Sequence, residues 1–393
     1  MNQTKSKLYE MAKIIKNSYK DCFSPISNYN KHELEYYITN CSNEFREEPI
    51  GEDIVSVQGK ICDRSRINQQ NQDLFEDYIF NDELIVDTIE IKRNIINIEL
   101  NIDSDIYRNI QPNAEYLKFY EIKRLGGGSY GNIFLYYNFD YNIEFALKKE
   151  KLTENHANNP IEEKISNLLN EEGNDCNTIK VKFIKQDRTN SYYILNKLEG
   201  DLSFLVKKLN KFGIDNFQII EIKLNIAEQV RKQVVCLYEL DNDFVYTDLK
   251  LPNVLYGCPD KDNLNELKIH LGDLGSVMKN VSGNYVSTYL PYEFAESGGV
   301  IQFEDDNHNQ VNGFLAWLIG LVLLDLIGSE ESDNLLSVCS WSNITDVSEE
   351  YFEILANQMG DLVEDYYESP NLGLYFNFNS DDRPDIADSL IEE

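Results

Sequence analysis

The chain has 393 residues, of which 42% are apolar, and a formal net charge of −32 at pH 7. This length exceeds what one hydrophobic core usually holds, and the apolar fraction is that of a folded protein, so wholesale disorder is excluded and two or three domains are expected. A charge this negative repels nucleic acid and anionic lipid, so neither is expected as a partner, whereas basic protein segments would be attracted.

Seven cysteines are scattered along the chain without a CxxC pair, and four histidines lack metal-ligand spacing. This pattern predicts reduced thiols and neither a disulfide framework nor a zinc site. Because the N-terminal segment lacks the apolar core of a signal peptide, we expect an intracellular protein, cytoplasmic or nuclear, with delivery into a host cell left open. The apolar run at 313–328 is shorter than a membrane span and contains Asp325, so it predicts a buried helix and no membrane span.

The first part of the chain suggests helices and then strands. Residues 1–40 indicate two helices, and residues 41–75, rich in Asn, Gln and Glu, indicate a loop. Residues 83–103 alternate in places with β-branched residues and predict strands. No internal repeat is present.

From residue 116 the pattern becomes strand, glycine-rich turn and two further strands, up to residue 150. Residues 159–172 predict a helix, with Pro160 in its first turn. Two strands follow, "IKVKFIK" and "YYILNKL", and from about residue 201 the pattern is mostly helical. A β-rich part with one helix therefore precedes a larger helical part, and a loop near 197–200 joins them.

The stretch "LGGGSYGNI" contains glycines at 126, 128 and 131. Such a hairpin lets backbone N–H groups approach phosphate oxygens, although a plain flexible turn is the alternative. A strand follows it, which argues against a dinucleotide-binding fold, where a helix would follow. Lys148 lies seventeen residues after Gly131, and Glu162 fourteen residues further on, a spacing that suits a phosphate-binding lysine held by an acidic partner.

Five further motifs occur in a fixed order, and with them the chain resembles the eukaryotic protein kinase family from about residue 118 to its C-terminus. They are "VYTDLKLPNVL" (245–255), "HLGDLGSV" (270–277), "STYLPYEF" (287–294), "LAWLIGLVLLDLI" (315–327) and "DDRPDIADSL" (381–390). The helix string "EEKISNLL" is most similar to the casein-kinase-one group. The resemblance implies an α+β, bilobal protein-kinase-like fold at 116–393, with a small β-rich N-lobe carrying one helix (116–197) and a larger helical C-lobe (198–393). A mixed N-terminal region of unassigned role, 1–115, precedes it.

The resemblance also implies roles for single residues. Asp248 would accept or orient the proton of a substrate hydroxyl, and Lys250 would neutralise charge on the transferring phosphoryl group. Asn253 and Asp273 would hold Mg²⁺, and the Lys148–Glu162 pair would position the phosphates of ATP. The remaining ATP-binding residues implied are Leu125, Gly126, Gly128, Ser129, Gly131, Ile133, Ala146, Lys197, Glu199 and Leu255. Arg383 would pair with a buried acid at the end of the activation segment, either Glu293 or Glu296.

The sequence departs from the family pattern at several positions. Tyr246 and Thr247 stand where the family has His-Arg, Leu315 stands where it has an Asp that braces the catalytic loop, and Asn196 would be the gatekeeper before the hinge. We therefore expect a divergent Ser/Thr protein kinase with a protein substrate. A pseudokinase that binds nucleotide or acts as a scaffold, and a small-molecule phosphotransferase of kinase-like fold, are the alternatives. Without an arginine at position 247, activity should not depend on phosphorylation of the activation segment.

Overall fold

A computed structural model describes residues 67–80, 89–92, 95–99, 116–127, 131–152, 161–169, 176–211, 216–240, 244–258, 267–279, 285–297, 300–301, 303, 308–344 and 347–391. The helices expected at 1–40, and Gly128 and Ser129 of the glycine-rich turn, lie outside these ranges. The chain forms two compact units, one built mainly from residues 64–163 and 180–197 and the other mainly from 164–179 and 198–393.

The first unit is built on a seven-stranded antiparallel sheet, in the order β1-β2-β3-β4-β5-β7-β6. Its strands are β1 (Ile89–Lys92), β2 (Ile95–Glu99), β3 (Tyr116–Gly127), β4 (Gly131–Asn138), β5 (Ile143–Lys151), β6 (Val181–Gln186) and β7 (Asn190–Leu195). The strands predicted within 83–103 are confirmed by β1 and β2, and β2 pairs with β3 from Ile95 opposite Tyr120 to Glu99 opposite Tyr116. Residues before 116 therefore contribute strands to the same sheet as the glycine-rich turn.

Helix α1 (Gln69–Phe80) corrects the expectation of a loop for the end of the range 41–75, whereas residues 41–66 lie outside the described ranges. Its polar composition conceals a helical stripe, because Gln72, Phe75 and Ile79 recur at spacings of three and four and are buried. Phe75 packs against Phe119 of β3 at 5.1 Å between ring centroids. The Gln72 side chain donates to the Glu144 carbonyl and accepts from the Glu144 N–H, both at 2.9 Å, so its amide is satisfied within the core.

The second unit is mostly helical, as the pattern after residue 201 predicts. Its helices are α3 (Leu202–Lys211), α4 (Asn216–Leu240), α5 (His308–Ile327), α6 (Glu330–Val338), α7 (Trp341–Ile344) and α8 (Glu349–Tyr367), preceded in the chain by α2 (Ile161–Leu169). Short strands carry the loops of the site: β8 (Gly200–Asp201), β9 (Phe244–Tyr246), β10 (Val254–Gly257), β11 (Lys268–Leu271), β12 (Val277–Lys279), β13 (Tyr285–Val286) and β14 (Val300–Ile301). They form three small sheets, β11-β10-β8, β12-β9 and β13-β14.

Helix α5 contains the long apolar run, and the prediction of a core helix is confirmed. It is the one helix within the described ranges that is long and apolar enough to cross a membrane, yet 83% of its most apolar window is buried inside the protein. Trp317 lies at its centre and packs against Phe352 of α8 at 5.5 Å. Aromatic and aliphatic burial around α5 is therefore the core of this unit.

The expectation of reduced thiols throughout is wrong. Cys176 and Cys236 form a disulfide, with their Cα atoms 5.6 Å apart, and Cys258 is disulfide-bonded as well. Cys339 is a free, buried thiol. The sixty residues that separate Cys176 from Cys236 conceal their proximity in the linear sequence.

Candidate active site

The glycine-rich turn leaves β3 at Gly127 and enters β4 at Gly131. A Cβ atom at Gly131 would lie 2.5 Å from the Lys149 carbonyl oxygen of β5, so only glycine allows the two strands to approach this closely. Gly126 has open space around the position of a Cβ, with no atom within 4 Å. The last glycine of the motif is therefore required by the sheet itself, whatever it does for a ligand.

Lys148 and Glu162 form a buried ion pair within the first unit. Lys148 lies on β5 opposite Ile133, and its Nζ donates a short hydrogen bond to Glu162 Oε1 in the first turn of α2. Glu150 adds a second carboxylate 3.8 Å from Nζ. The predicted lysine–glutamate pairing is thus present in the structure, and it fixes the ammonium group with much of its charge shielded from water.

Asp248 is the centre of a hydrogen-bond network in the second unit. Lys250 Nζ lies 2.6 Å from Asp248 Oδ2 and 2.6 Å from Thr288 Oγ1. The Thr288 N–H donates to Asp248 Oδ1 at 3.0 Å. Asn253 Nδ2 donates to the Asp248 carbonyl at 2.9 Å and to Oδ2 at 3.0 Å. The structure thus brings Asp248, Lys250 and Asn253 together, as the motif spacing predicts.

The Asp248 carboxyl is held in its ionised form. Burial alone would raise its pKa, but hydrogen bonds from Lys250 and Thr288 and the charge of Lys250 outweigh burial and lower the pKa below its ordinary value. Lys250, Asn253 and the Thr288 N–H donate to its two oxygens, and the Thr288 side chain also interacts with the carboxylate and lowers its pKa. The carboxylate is therefore fixed in position and ionised.

Asp273 follows β11 and has a left-handed backbone conformation, with φ 43° and ψ 54°. This conformation is unfavourable for a residue other than glycine and is retained where the surroundings enforce it. The Gly272 N–H donates to the Asn253 carbonyl at 2.8 Å and the Ser276 N–H to the Asp273 carbonyl at 2.9 Å. Leu274 is buried behind it, while Asp273 itself is exposed. The chain thus presents the Asp273 carboxylate outward beside the Asn253 loop.

Tyr246 and Thr247, which replace the family's His-Arg, have defined roles. The Tyr246 hydroxyl donates to the Gly272 carbonyl at 2.5 Å, and the Thr247 hydroxyl donates to the Ser276 carbonyl at 2.9 Å. The Thr247 N–H donates to the same Ser276 carbonyl at 3.2 Å, next to the β9–β12 pairing. Two hydroxyls therefore bind the catalytic loop to the loop that carries Asp273. The sequence showed the departure from the pattern but not these partners, which lie 26 and 29 residues away.

Thr288 belongs to this network, although the sequence motifs assigned it no role. Its hydroxyl and its N–H contact Lys250 and Asp248, as described above. The neighbouring Ser287 hydroxyl is buried and donates to the Tyr289 carbonyl at 2.7 Å. The signal that could have assigned Thr288 to the site is its position in "STYLPYEF", five residues before Glu293.

Arg383 pairs with Glu293, which decides between the two acids left open by the sequence. Arg383 Nη1 lies 2.6 Å from Glu293 Oε1, and Nη2 lies 3.1 Å from Oε2, a bidentate arrangement. The guanidinium also lies over the Trp317 ring at 5.0 Å. The end of the activation segment is thus fixed to the core helix.

Of the residues implied for ATP binding, Leu125, Ile133 and Ala146 lie on β3, β4 and β5 of the first unit, and Leu255 lies on β10 of the second unit. The Glu199 N–H donates to the Tyr256 carbonyl at 2.9 Å, and the implied role of Glu199 in ATP binding stays a prediction. The pairing of β8 with β10 places it there. The side-chain oxygen of Asn196 accepts from the Lys180 N–H at 2.8 Å, so this side chain is used inside the first unit. The role of Lys197 stays a prediction.

Comparison with known families agrees with this geometry. Residues 119–302 match the family model described as the protein kinase domain. With the β-rich first unit, the helical second unit and the Asp248 network, the match shows a bilobal protein kinase fold. The match supports a relationship of residues 119–302 to the eukaryotic-type protein kinase family. No curated protein matches the chain significantly. The similarity to the casein-kinase-one group stays a prediction.

Proposed function

We propose that the protein is a divergent Ser/Thr protein kinase, which transfers the γ-phosphate of ATP to a hydroxyl of a protein substrate. The single observation that carries the proposal is the Asp248 network. An ionised carboxylate held in position by hydrogen bonds, with an ammonium group at 2.6 Å, is what this reaction needs. The proton of the hydroxyl goes to Asp248, its oxygen bonds to the γ-phosphorus, and ADP leaves.

Lys250 and Lys148 are the residues of the chain that supply positive charge to the proposed reaction. The transition state of phosphoryl transfer carries negative charge on its phosphoryl oxygens, so fixed cations stabilise it without reorganisation. Lys250 is fixed by Asp248 and Thr288, and Lys148 is fixed by Glu162. A pseudokinase would have no need for both ammonium groups to be held in this way.

The chemistry of Asn253 and Asp273 fits Mg²⁺. Both amide hydrogen bonds described for Asn253 use its nitrogen, which leaves the amide oxygen for a cation, and the Asp273 carboxylate is exposed beside it. Mg²⁺ bound with nucleotide phosphates takes one or two protein oxygens. Among the residues that can be described, no cluster of three His, Cys, Asp or Glu could hold a metal alone, in accord with such a shared site. Mg²⁺ would neutralise charge on the phosphate oxygens there.

The position of Thr288 favours serine or threonine as acceptor over tyrosine. Its N–H lies 3.0 Å from Asp248 Oδ1, so the segment after β13 passes close to the carboxylate. A substrate backbone that follows this segment would bring a short hydroxyl side chain to Asp248. A phenol would need the substrate backbone to lie farther away, so tyrosine is disfavoured.

The net charge of −32 supports basic segments as substrates. Acidic residues continue through the second unit in "GSEESD", "VSEEYFE" and "GDLVEDYYE". Such a field attracts basic peptides and repels acidic ones, and salt weakens both effects. Neither nucleic acid nor a membrane surface is proposed as a partner.

The experiment is γ-phosphate transfer from Mg-ATP to three matched peptide libraries that differ only in the acceptor, Ser, Thr or Tyr, each in basic and acidic versions. We expect transfer to Ser and Thr peptides, with the basic versions preferred at low salt. Transfer to a small-molecule amine or alcohol but to no peptide would favour the phosphotransferase alternative. ATP binding without transfer to any acceptor would favour the pseudokinase.

A further inference from the structure

The disulfide between Cys176 and Cys236 lies outside the catalytic groups but next to both elements that carry them. Cys236 is on the last turns of α4, the longest helix described, and Cys176 begins a short connecting segment, 176–179, that leads to β6. The Cα separation of 5.6 Å is within the usual range for a disulfide. The bond therefore attaches a segment without regular structure to a rigid helix.

The connecting segment contacts the strand that leads to Asp273. The Ile179 N–H donates to the Leu271 carbonyl at 3.0 Å, and the Leu271 N–H donates to the Asn177 carbonyl at 3.3 Å. Leu271 is the last residue of β11 and lies two positions before Asp273. A displacement of the segment would therefore move the start of the metal-binding loop.

The same segment contacts the helix that carries Glu162. The Ser166 hydroxyl of α2 donates to the Ile179 carbonyl at 2.9 Å. Ser166 is four residues after Glu162, on the same face of the helix. The Asn177 N–H also donates a short hydrogen bond to Gln233 Oε1, one turn before Cys236 on α4. Segment 176–179 thus joins α4, α2 and β11.

We propose that the Cys176–Cys236 pair is a redox-modifiable site, and that its reduction by a dithiol lowers the turnover of the kinase by loosening the segment that supports Glu162 and Asp273. The effect on turnover rests on the proposed function. The effect on the segment does not, because it follows from the tether alone.

The chemistry is a thiol–disulfide exchange. A thiolate of the dithiol attacks Cys236 Sγ, because Cys236 is partly exposed whereas Cys176 is buried. A mixed disulfide forms, and Cys176 leaves as a thiolate and takes up a proton. The second thiol of the reagent then attacks the mixed disulfide and releases Cys236 as a thiol. The protein gains two electrons and two protons, and the dithiol becomes a disulfide.

The test compares the oxidised and the dithiothreitol-reduced full chain. We expect reduction to lower kcat about fivefold or more, within the range of typical couplings between sites, and to leave the KM for the peptide nearly unchanged. Amide hydrogen exchange at Ile179 and Leu271 should become faster upon reduction, because the covalent tether no longer restrains their hydrogen bonds. Mass spectrometry of a proteolytic digest of the oxidised protein, prepared without reductant, should detect the peptide pair cross-linked through Cys176 and Cys236.

Two variants separate this pair from the other disulfide. Cys236→Ser without dithiol should behave like the reduced wild type and should not respond to dithiothreitol. Cys258→Ser should keep the response, since its own disulfide lies elsewhere in the sequence. If Cys236→Ser still responds, or if exchange and kcat are equal in the oxidised and reduced wild type, the proposal is overturned. It is also overturned if the oxidised protein contains Cys176 and Cys236 only as thiols.

The wild-type comparison remains valid even if Cys236→Ser does not fold. If no condition gives phosphoryl transfer, the proposed function fails, while hydrogen exchange and cross-link mapping still decide whether the pair controls the segment.

Discussion

Replacing Arg383 with alanine removes a guanidinium group that binds several partners at once. It pairs with both Glu293 carboxylate oxygens and donates to the carbonyls of Gly313, Asn377 and Phe378. Its side chain is 1% exposed, whereas that of Glu293 is 23% exposed. The substitution therefore leaves one carboxylate and three carbonyls without this donor, and only the carboxylate can regain part of its hydration.

The expected cost follows from these contacts. Breaking a buried ion pair by removing one partner costs about 3–5 kcal/mol, and partial hydration of Glu293 favours the lower half of that range. We therefore expect Arg383→Ala to lower the free energy of unfolding of the second unit by about 3–4 kcal/mol. Arg383→Lys keeps the positive charge but not the planar, bidentate donors, so its free energy of unfolding should lie between those of the wild type and Arg383→Ala.

Urea unfolding followed by tryptophan fluorescence is a suitable assay. Trp317 lies 5.0 Å from the Arg383 guanidinium, and both tryptophans of the chain, Trp317 and Trp341, belong to the second unit. Glu293→Gln and the double variant complete a cycle that isolates the pair. An Arg383→Ala midpoint equal to that of the wild type would refute the claim that this pair anchors the activation segment to the core.

Three further predictions concern the loops and their titration. Tyr246→Phe should lower kcat about tenfold, because it removes one buried hydrogen bond to the Gly272 carbonyl, worth about 1.4 kcal/mol. Tyr256→Phe is the control and should not change kcat, because the buried Tyr256 hydroxyl has no hydrogen-bond partner within the described ranges. Burial and the charge of Asp333 raise the pKa of Asp325 to about 6, against the opposing charge of Lys207. The ionised carboxyl therefore lowers the stability of the folded protein as the pH rises from 4 to 6. Asp325→Asn should raise the urea midpoint at pH 7.5 but not at pH 4, and equal shifts at both pH values would contradict this. Phosphatase treatment should leave kcat unchanged, because the Ser287 hydroxyl is buried and the Thr288 hydroxyl accepts a hydrogen bond from Lys250. Loss of activity that is restored only by phosphorylation of the activation segment would contradict this prediction.

The elements predicted correctly from the sequence are those that are determined by residues close together in the chain. The twenty-residue α5 is apolar almost throughout, and the spacing from Asp248 to Asn253 is set within one loop. The Lys148–Glu162 pair was predicted because the two residues lie fourteen positions apart, on a strand and on the helix that follows it. In each case the determinant lies within a short window of sequence.

The features that the sequence missed depend on tertiary proximity. Helix α1 is stabilised by burial of Phe75 against Phe119 of the sheet, which lies 44 residues later in the chain, so its polar composition was misleading. The Cys176–Cys236 bond and the partners of Tyr246 and Thr247 join residues that only the fold brings together. The Glu199 N–H is engaged because β8 pairs with β10, a pairing that no local pattern indicates.

The most direct test of the account is single-turnover γ-phosphate transfer by the wild type and by Asp248→Asn, with Mg-ATP affinity measured for both. Asparagine keeps the size of the side chain but cannot take the hydroxyl proton, and Asp248 makes no contribution to holding the nucleotide in this account. We predict a loss of about 10²–10⁴ in rate, typical for removal of a positioned base, and an ATP affinity close to that of the wild type. Wild-type rates in Asp248→Asn would contradict the assignment of the catalytic loop, and absence of Mg-ATP binding at millimolar concentration in the wild type would contradict the kinase activity itself.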